Sequence, residues 1–150
     1  MKRLLSELRY CGGSQMYTCV FPRPIRKWAR AKFFIRGLFA TDGCLYFSKI
    51  SGVPLYPRLE IKMKNRVVAN QVLKILKSRG FRAHIRRCGK DDCVAIYCSG
   101  KMELDKWVDQ IGFTTRKNRT KYLLWKKLGF YMPRSSLAQR TAFLQRWPSG

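Results

Sequence analysis

Twice along this chain, two short segments that alternate apolar and polar residues are followed by a segment with helical spacing, and few folds accept that order. CLYFSKI and RLEIKMKN precede VVANQVLKILKSRG; FRAHIRR and CVAIYCS precede KMELDKWVDQIG. RLEIKMKN carries the clearest strand pattern, with Leu59, Ile61 and Met63 on one side and Arg58, Glu60, Lys62 and Lys64 on the other. SGVPLYP and GKDD supply the turns inside the two hairpins. The covering helices place Val68, Val72 and Leu76 on one stripe, and Leu104, Trp107, Val108 and Ile111 on another. A further helical pattern runs from about Ile25 to Asp42, with Gly43 suited to the left-handed position after a helix end. The order α-β-β-α-β-β-α predicts an α+β fold: an antiparallel sheet with helices covering its apolar face.

The ends read differently. KRLLSELRY has the spacing of a short amphipathic helix, and CGGSQMYTCVFPRP that of a connector. Helical spacing returns around Tyr122 to Leu128 and from Ser135 to Trp147. The expected organisation is an N-terminal extension over residues 1–24, one domain over 25–128, and a basic C-terminal helical extension over 129–150. A chain of 150 residues with 46% hydrophobic content is long and apolar enough for a real core.

Charge selects the partner. Lys and Arg number 32 against 8 Asp and Glu, a net +24. That excess repels itself in a compact fold unless a polyanion neutralises it. No apolar run approaches the ~18 residues of a membrane span, and no signal peptide is recognised at the start. Nucleic acid is therefore expected as partner and no membrane, with a cytoplasmic location, nucleoid-associated in a prokaryote. The six cysteines include no Cys-x-x-Cys pair, and His84 is the only histidine. Cys93 and Cys98, five apart, point to opposite faces of a strand, which suits buried small hydrophobes better than one tetrahedral zinc site.

Opposite the covered face, the alternation leaves Tyr46, Ser48, Arg58, Lys62, Lys64, Arg82, His84 and Arg86. A two-stranded ribbon enters the ~12 Å major groove of DNA, and these side chains can bond base edges and phosphates. A different class of reading is a basic RNA-binding protein with Trp107, Trp125, Tyr131 and Trp147 stacked on bases. Trp107 falls on the core stripe of its helix, and for the tail aromatics packing is the expected role.

FIRGLFATDG, residues 34–43, carries the chemistry. Ile35, Leu38 and Phe39 can face the core, while Gly37, Ala40 and Thr41 form a narrow seam of small residues that admits a second helix backbone. Asp42 ends this helix, where a carboxylate usually costs a few tenths to about 1 kcal/mol against the macrodipole. If the same helix packs across a twofold axis, two copies of Asp42 meet at its base and repel unless cations lie between them. Divalent metal bound by Asp42 offsets both costs.

FIRGLFATDG resembles the signature of the LAGLIDADG homing endonucleases, with Ile35 through Gly43 covering its nine positions. Gly37, Leu38, Asp42 and Gly43 match, Phe39 is a conservative change, and Arg36 and Ala40 depart from the pattern. YPRLEIKMKN, a helix, SRGFRAHI, a second hairpin and the helix ending in IGF follow the family's order to about residue 125. The resemblance is to the single-motif, archaeal intron-encoded type. It implies a saddle-shaped antiparallel sheet, Mg²⁺ as cofactor, and hydrolysis of both strands of a long double-stranded DNA site. One motif is half a catalytic site, which implies a homodimer on a near-palindromic target. By position, Asp42 and Thr41 are implied as metal ligands. Asn65 resembles the residue that orders the attacking water, and Lys117, or its neighbour Arg116, the cation near the scissile phosphate. Some members of the family are maturases that bind intron RNA, and others bind DNA without cutting it; retention of Asp42 favours cleavage.

Overall fold

Helix α1 (Trp28–Asp42) passes into strand β1 (Gly43–Ile50) with no residue between them. The computed structural model describes residue 20, residues 23–89 and residues 92–146. The expected N-terminal helix, Cys11, Cys19, Lys90, Asp91 and Trp147 lie outside that range. A single 3₁₀ turn, Arg23–Ile25, precedes α1, so the helix starts three residues later than its pattern suggested.

Strand β2 (Val53–Met63) pairs antiparallel with β1 through a turn at Ser51 and Gly52, where Gly52 has φ +74°. The apparent turn residues VPLYP therefore belong to the strand. Pro54 and Pro57 are tolerated because pairing with the next strand begins only at Arg58. Helix α2 (Arg66–Ser78) follows, then β3 (His84–Cys88), β4 (Cys93–Ser99) and α3 (Lys101–Gln110). The sheet order is β1-β2-β4-β3, all antiparallel. This is the expected α+β arrangement.

β3 is shorter than FRAHIRR promised. Phe81 N–H bonds the Leu76 carbonyl at the end of α2, and Arg82 N–H bonds the buried Glu103 carboxylate at 3.0 Å. Both donors are thereby taken before the ladder begins.

One face of the sheet is packed. Ala31, Ile35 and Phe39 of α1, Val68, Val72 and Leu76 of α2, and Leu104 and Trp107 of α3 meet Leu45, Leu59, Ile61, Val94 and Ile96 in one core. Phe39 and Trp107 touch with ring centroids 4.9 Å apart, so Trp107 is a core residue. Cys98 also points inward, and burial pushes its thiol up to about 12.

Helix α4 (Arg116–Leu128) closes the β1 edge, and helix α5 (Leu137–Arg146) packs on α4. Asn118 Oδ1 accepts from Leu45 N–H at 3.2 Å, and Lys121 Nζ donates to Leu45 C=O at 2.9 Å. These two side chains satisfy backbone groups that a neighbouring strand would otherwise take, which blunts an edge open to mispairing. Burial, with Lys117 and Arg140 also nearby, lowers the pKa of Lys121 even as it contacts the Cys44 thiol. Trp125 and Tyr131 pack on Phe47, at 5.7 and 5.1 Å. Ser136 and Gln139 form a reciprocal capping box at the start of α5. Arg140, buried beneath, donates to Thr120 and Ser135. Asn118→Ala leaves the Leu45 N–H unsatisfied; the expected cost is about 1–3 kcal/mol. Thermal unfolding checks this as a drop of about 2–4 °C per kcal/mol.

Candidate active site and nucleic-acid interface

Gly43 is extended, with φ −98° and ψ 154°, and not left-handed as its position after a helix suggested. Its N–H still bonds the Phe39 carbonyl as a helical residue does, while its own backbone already lies in the ladder opposite Ile61. A Cβ at Gly43 would stand 2.5 Å from the Phe39 ring and from the Phe39 carbonyl oxygen. Glycine is required here by lack of space, not by handedness. The helix thus turns into the strand within one residue, and Asp42 occupies the bend.

Asp42 is exposed at the carbonyl end of α1. Among the described residues no Lys or Arg lies within ion-pair distance of it, although the chain carries a net charge of +24. Four other acids, Glu60, Asp92, Glu103 and Asp105, do form ion pairs. The Thr41 hydroxyl lies 3.0 Å from Asp42 Oδ2 and 3.1 Å from the Leu38 carbonyl. Hard oxygen donors are therefore grouped at this helix end, the donor chemistry that Mg²⁺ prefers. Among the described residues no three His, Cys, Asp or Glu side chains gather at one point. Mg²⁺ keeps several waters and needs only one or two carboxylates with substrate phosphate, so the donor set fits it.

Three other predicted residues lie at this end of the sheet. β2 runs antiparallel to β1, so its last residues pass Gly43 and lead to Asn65. Asn65 is buried as the N-cap of α2, its Oδ1 accepting from Val68 N–H at 2.9 Å. Arg116 and Lys117 are exposed in the first turn of α4. The hydrogen bonds of Asn118 and Lys121 hold that turn beside Cys44 and Leu45, immediately beyond Asp42.

The small-residue seam lies outward. Phe33, Gly37 and Thr41 are exposed along α1, and Ala40 is half-buried. A Cβ at Gly37 would meet nothing within 4 Å. The protomer has no steric need for glycine in mid-helix, where it costs about 1 kcal/mol relative to Ala. Phe33, 53% exposed, adds an apolar contact to the same stripe.

The uncovered sheet face holds the predicted polar set. Tyr46 and Ser48 come from β1, Arg58 and Lys62 from β2, and His84 and Arg86 from β3. Lys64 and Arg82 are exposed just beyond the paired strands, Lys64 in the bend after β2 and Arg82 before β3. Arg58 Nε donates to Ser48 Oγ at 2.7 Å, its Nη1 lies 3.5 Å from Ser99 Oγ, and its guanidinium sits over Tyr56. His84 stacks on Tyr97 with centroids 5.5 Å apart. Alternation had put Glu60 on this face without revealing its state: it is only 5% exposed, at the middle of the sheet.

Residues 31–112, more than half the chain, match the LAGLIDADG-like domain family. No curated protein matches the chain. Among solved structures it is similar to the LAGLIDADG meganuclease I-AabMI bound to uncleaved DNA. That likeness has 20% identity and a TM-score of 0.50, over 63% of this chain and 34% of that one. A mutant of I-SmaMI is similar at 17% identity and a TM-score of 0.47, over 67% of this chain and 35% of that one. The chain spans about a third of the length of these structures, and at such identities the I-AabMI likeness concerns the fold. Matched across more than half its residues, and with Asp42 and Gly43 at the helix-to-strand bend, the chain belongs to the LAGLIDADG-like domain family.

Proposed function

We propose that this chain is a site-specific homing endonuclease, intron-encoded, that makes double-strand breaks in a long, near-palindromic DNA target as a Mg²⁺-dependent homodimer. The observation that carries the reading is Asp42: an acid that has no ion-pair partner among the described residues of a strongly basic chain, fixed where a small-residue helix meets the open sheet face.

Each part of the chain has a task in that reaction. The face bearing Tyr46, Ser48, Arg58, Lys62, His84 and Arg86 lies in the major groove, where such side chains meet base edges and phosphates. Lys64 and Arg82 flank it and meet the backbone. The seam of Phe33, Gly37, Ala40 and Thr41 brings two protomers together, so that two copies of Asp42 stand near the axis. Asp42, oriented by Thr41, holds the cation. Bound Mg²⁺ supplies a water of lowered pKa and a counter-charge for the leaving oxygen. Asn65, fixed by its cap on α2, orders the attacking water. Lys117, with Arg116 beside it, spreads the phosphate charge that grows in the transition state.

Incubation with a plasmid carrying the joined sequences that flank the reading frame tests the reading. The expected product is linear DNA that forms with Mg²⁺ and not with a chelator. A protein that binds this duplex and never cuts it would belong instead with the non-cleaving DNA binders or the maturases that act on intron RNA.

A further inference from the structure

The centre of the DNA-facing sheet is built on an acid. Glu60 is 5% exposed and lies between Cys44 of β1 and Tyr97 of β4 in the ladder. Arg86 Nη2 donates to Glu60 Oε2 at 2.5 Å, and Lys62 Nζ lies 3.3 Å from Oε1. The Tyr46 hydroxyl stands 3.5 Å from Oε2. Arg86 belongs to β3, so its side chain crosses β4 to reach β2. Its register partner on β4 is Ala95, which is 0% exposed although it lies on the uncovered face. A larger side chain at Ala95 would stand in that path.

A carboxylate is a poor neighbour for DNA phosphates. In a chain with 32 Lys and Arg, an acid at the middle of the basic face lowers affinity for any polyanion. It also ties two cations that would otherwise reach for phosphates. What it supplies is direction: an Arg anchored through one nitrogen keeps its other N–H donors in a fixed plane, the requirement for bidentate contact with a base edge.

Resting on the proposed DNA-binding role of this face, we propose that Glu60 is a positioning residue for sequence specificity: it holds Arg86 and Lys62 toward base edges and withholds them from the phosphate backbone. The centre of the sheet is then read as a specificity element, and its rim, with Lys64 and Arg82, as the phosphate-binding element.

Selection from a randomised duplex library, with salt titrations on one non-specific duplex, tests this on wild type, Glu60→Gln and Arg86→Ala. Glu60→Gln should bind the non-specific duplex more tightly. Its plot of log affinity against log salt should steepen by about one to two units, as one or both cations turn to phosphates. Preference at the base pairs under the sheet centre should fall about tenfold, the scale of one lost bidentate contact. Arg86→Ala, at a side chain 49% exposed, should lose preference at the same base pairs without a steeper salt slope. This second variant keeps the test open should Glu60→Gln fold poorly. A Glu60→Gln protein with wild-type preferences and salt slope overturns the inference alone. So does loss of preference at base pairs other than those lost in Arg86→Ala. A wild-type protein that binds no duplex overturns the functional reading along with it.

Discussion

Asp42→Asn is expected to bind duplex DNA as wild type does and to cut it at least about a hundredfold more slowly, the scale of removing a group that stabilises transition-state charge. The substitution keeps the volume and an acceptor oxygen for the Thr41 hydroxyl while removing the charge that would hold the metal. The same variant should be more stable than wild type. Asp42 makes no ion pair among the described residues and faces the negative end of the α1 dipole, so its charge costs a few tenths to about 1 kcal/mol. Neutralising it should raise the melting temperature by about 1–4 °C. Lost activity with gained stability separates a working group from a supporting one, because a supporting residue loses both together. Wild-type cutting by Asp42→Asn with Mg²⁺ would refute the active-site assignment.

Gly37→Leu carries the other large effect, again with opposite signs in two measurements. In the protomer a side chain at position 37 enters open space, and removing a mid-helix glycine should stabilise the fold by about 0.5–1 kcal/mol. Between two close-packed copies of α1 the same side chain overpacks the contact. Overpacking costs about 1–3 kcal/mol, and a twofold axis applies it twice. Dimer affinity should therefore fall about thirtyfold or more. Sedimentation velocity and thermal unfolding read the two effects separately, and cleavage of both strands should fail with the dimer. A tight, active Gly37→Leu dimer would show that this helix is not the interface.

The element order was legible because period-two and period-3.6 apolar patterns survive in the sequence wherever an element buries an apolar face. Leu59 and Ile61 mark β2, and Val68, Val72 and Leu76 mark α2, without reference to anything distant. Legibility failed where polar atoms face inward. α4 starts at Arg116, six residues before its expected start at Tyr122, because its buried side carries Asn118, Thr120 and Lys121. Asn118 and Lys121 serve the backbone of β1, more than seventy positions away, and no local pattern announces such a partner. Pro54 and Pro57 hid the first half of β2, since only knowledge of its one-sided pairing makes them acceptable. At the helix end, Asp42 and Gly43 stood out by their place after an apolar stretch and by the resemblance of FIRGLFATDG to the family signature, yet the reason for the glycine lay in the position of the Phe39 ring. Glu60 could be placed on its face by alternation; its burial depended on Arg86 crossing from another strand.

The loopless passage from α1 to β1 gives the proposed dimer a built-in ruler. With Gly43 closed against Phe39, no flexible segment lets Asp42 shift independently of the helix that carries it. Any slide of one α1 along its twin moves the attached carboxylate by the same distance, about 1.5 Å for each residue of slip. The gap between the two acids, and with it the offset between the two cuts, would then be calibrated by the fit of Gly37 and Ala40 rather than by any residue that touches DNA.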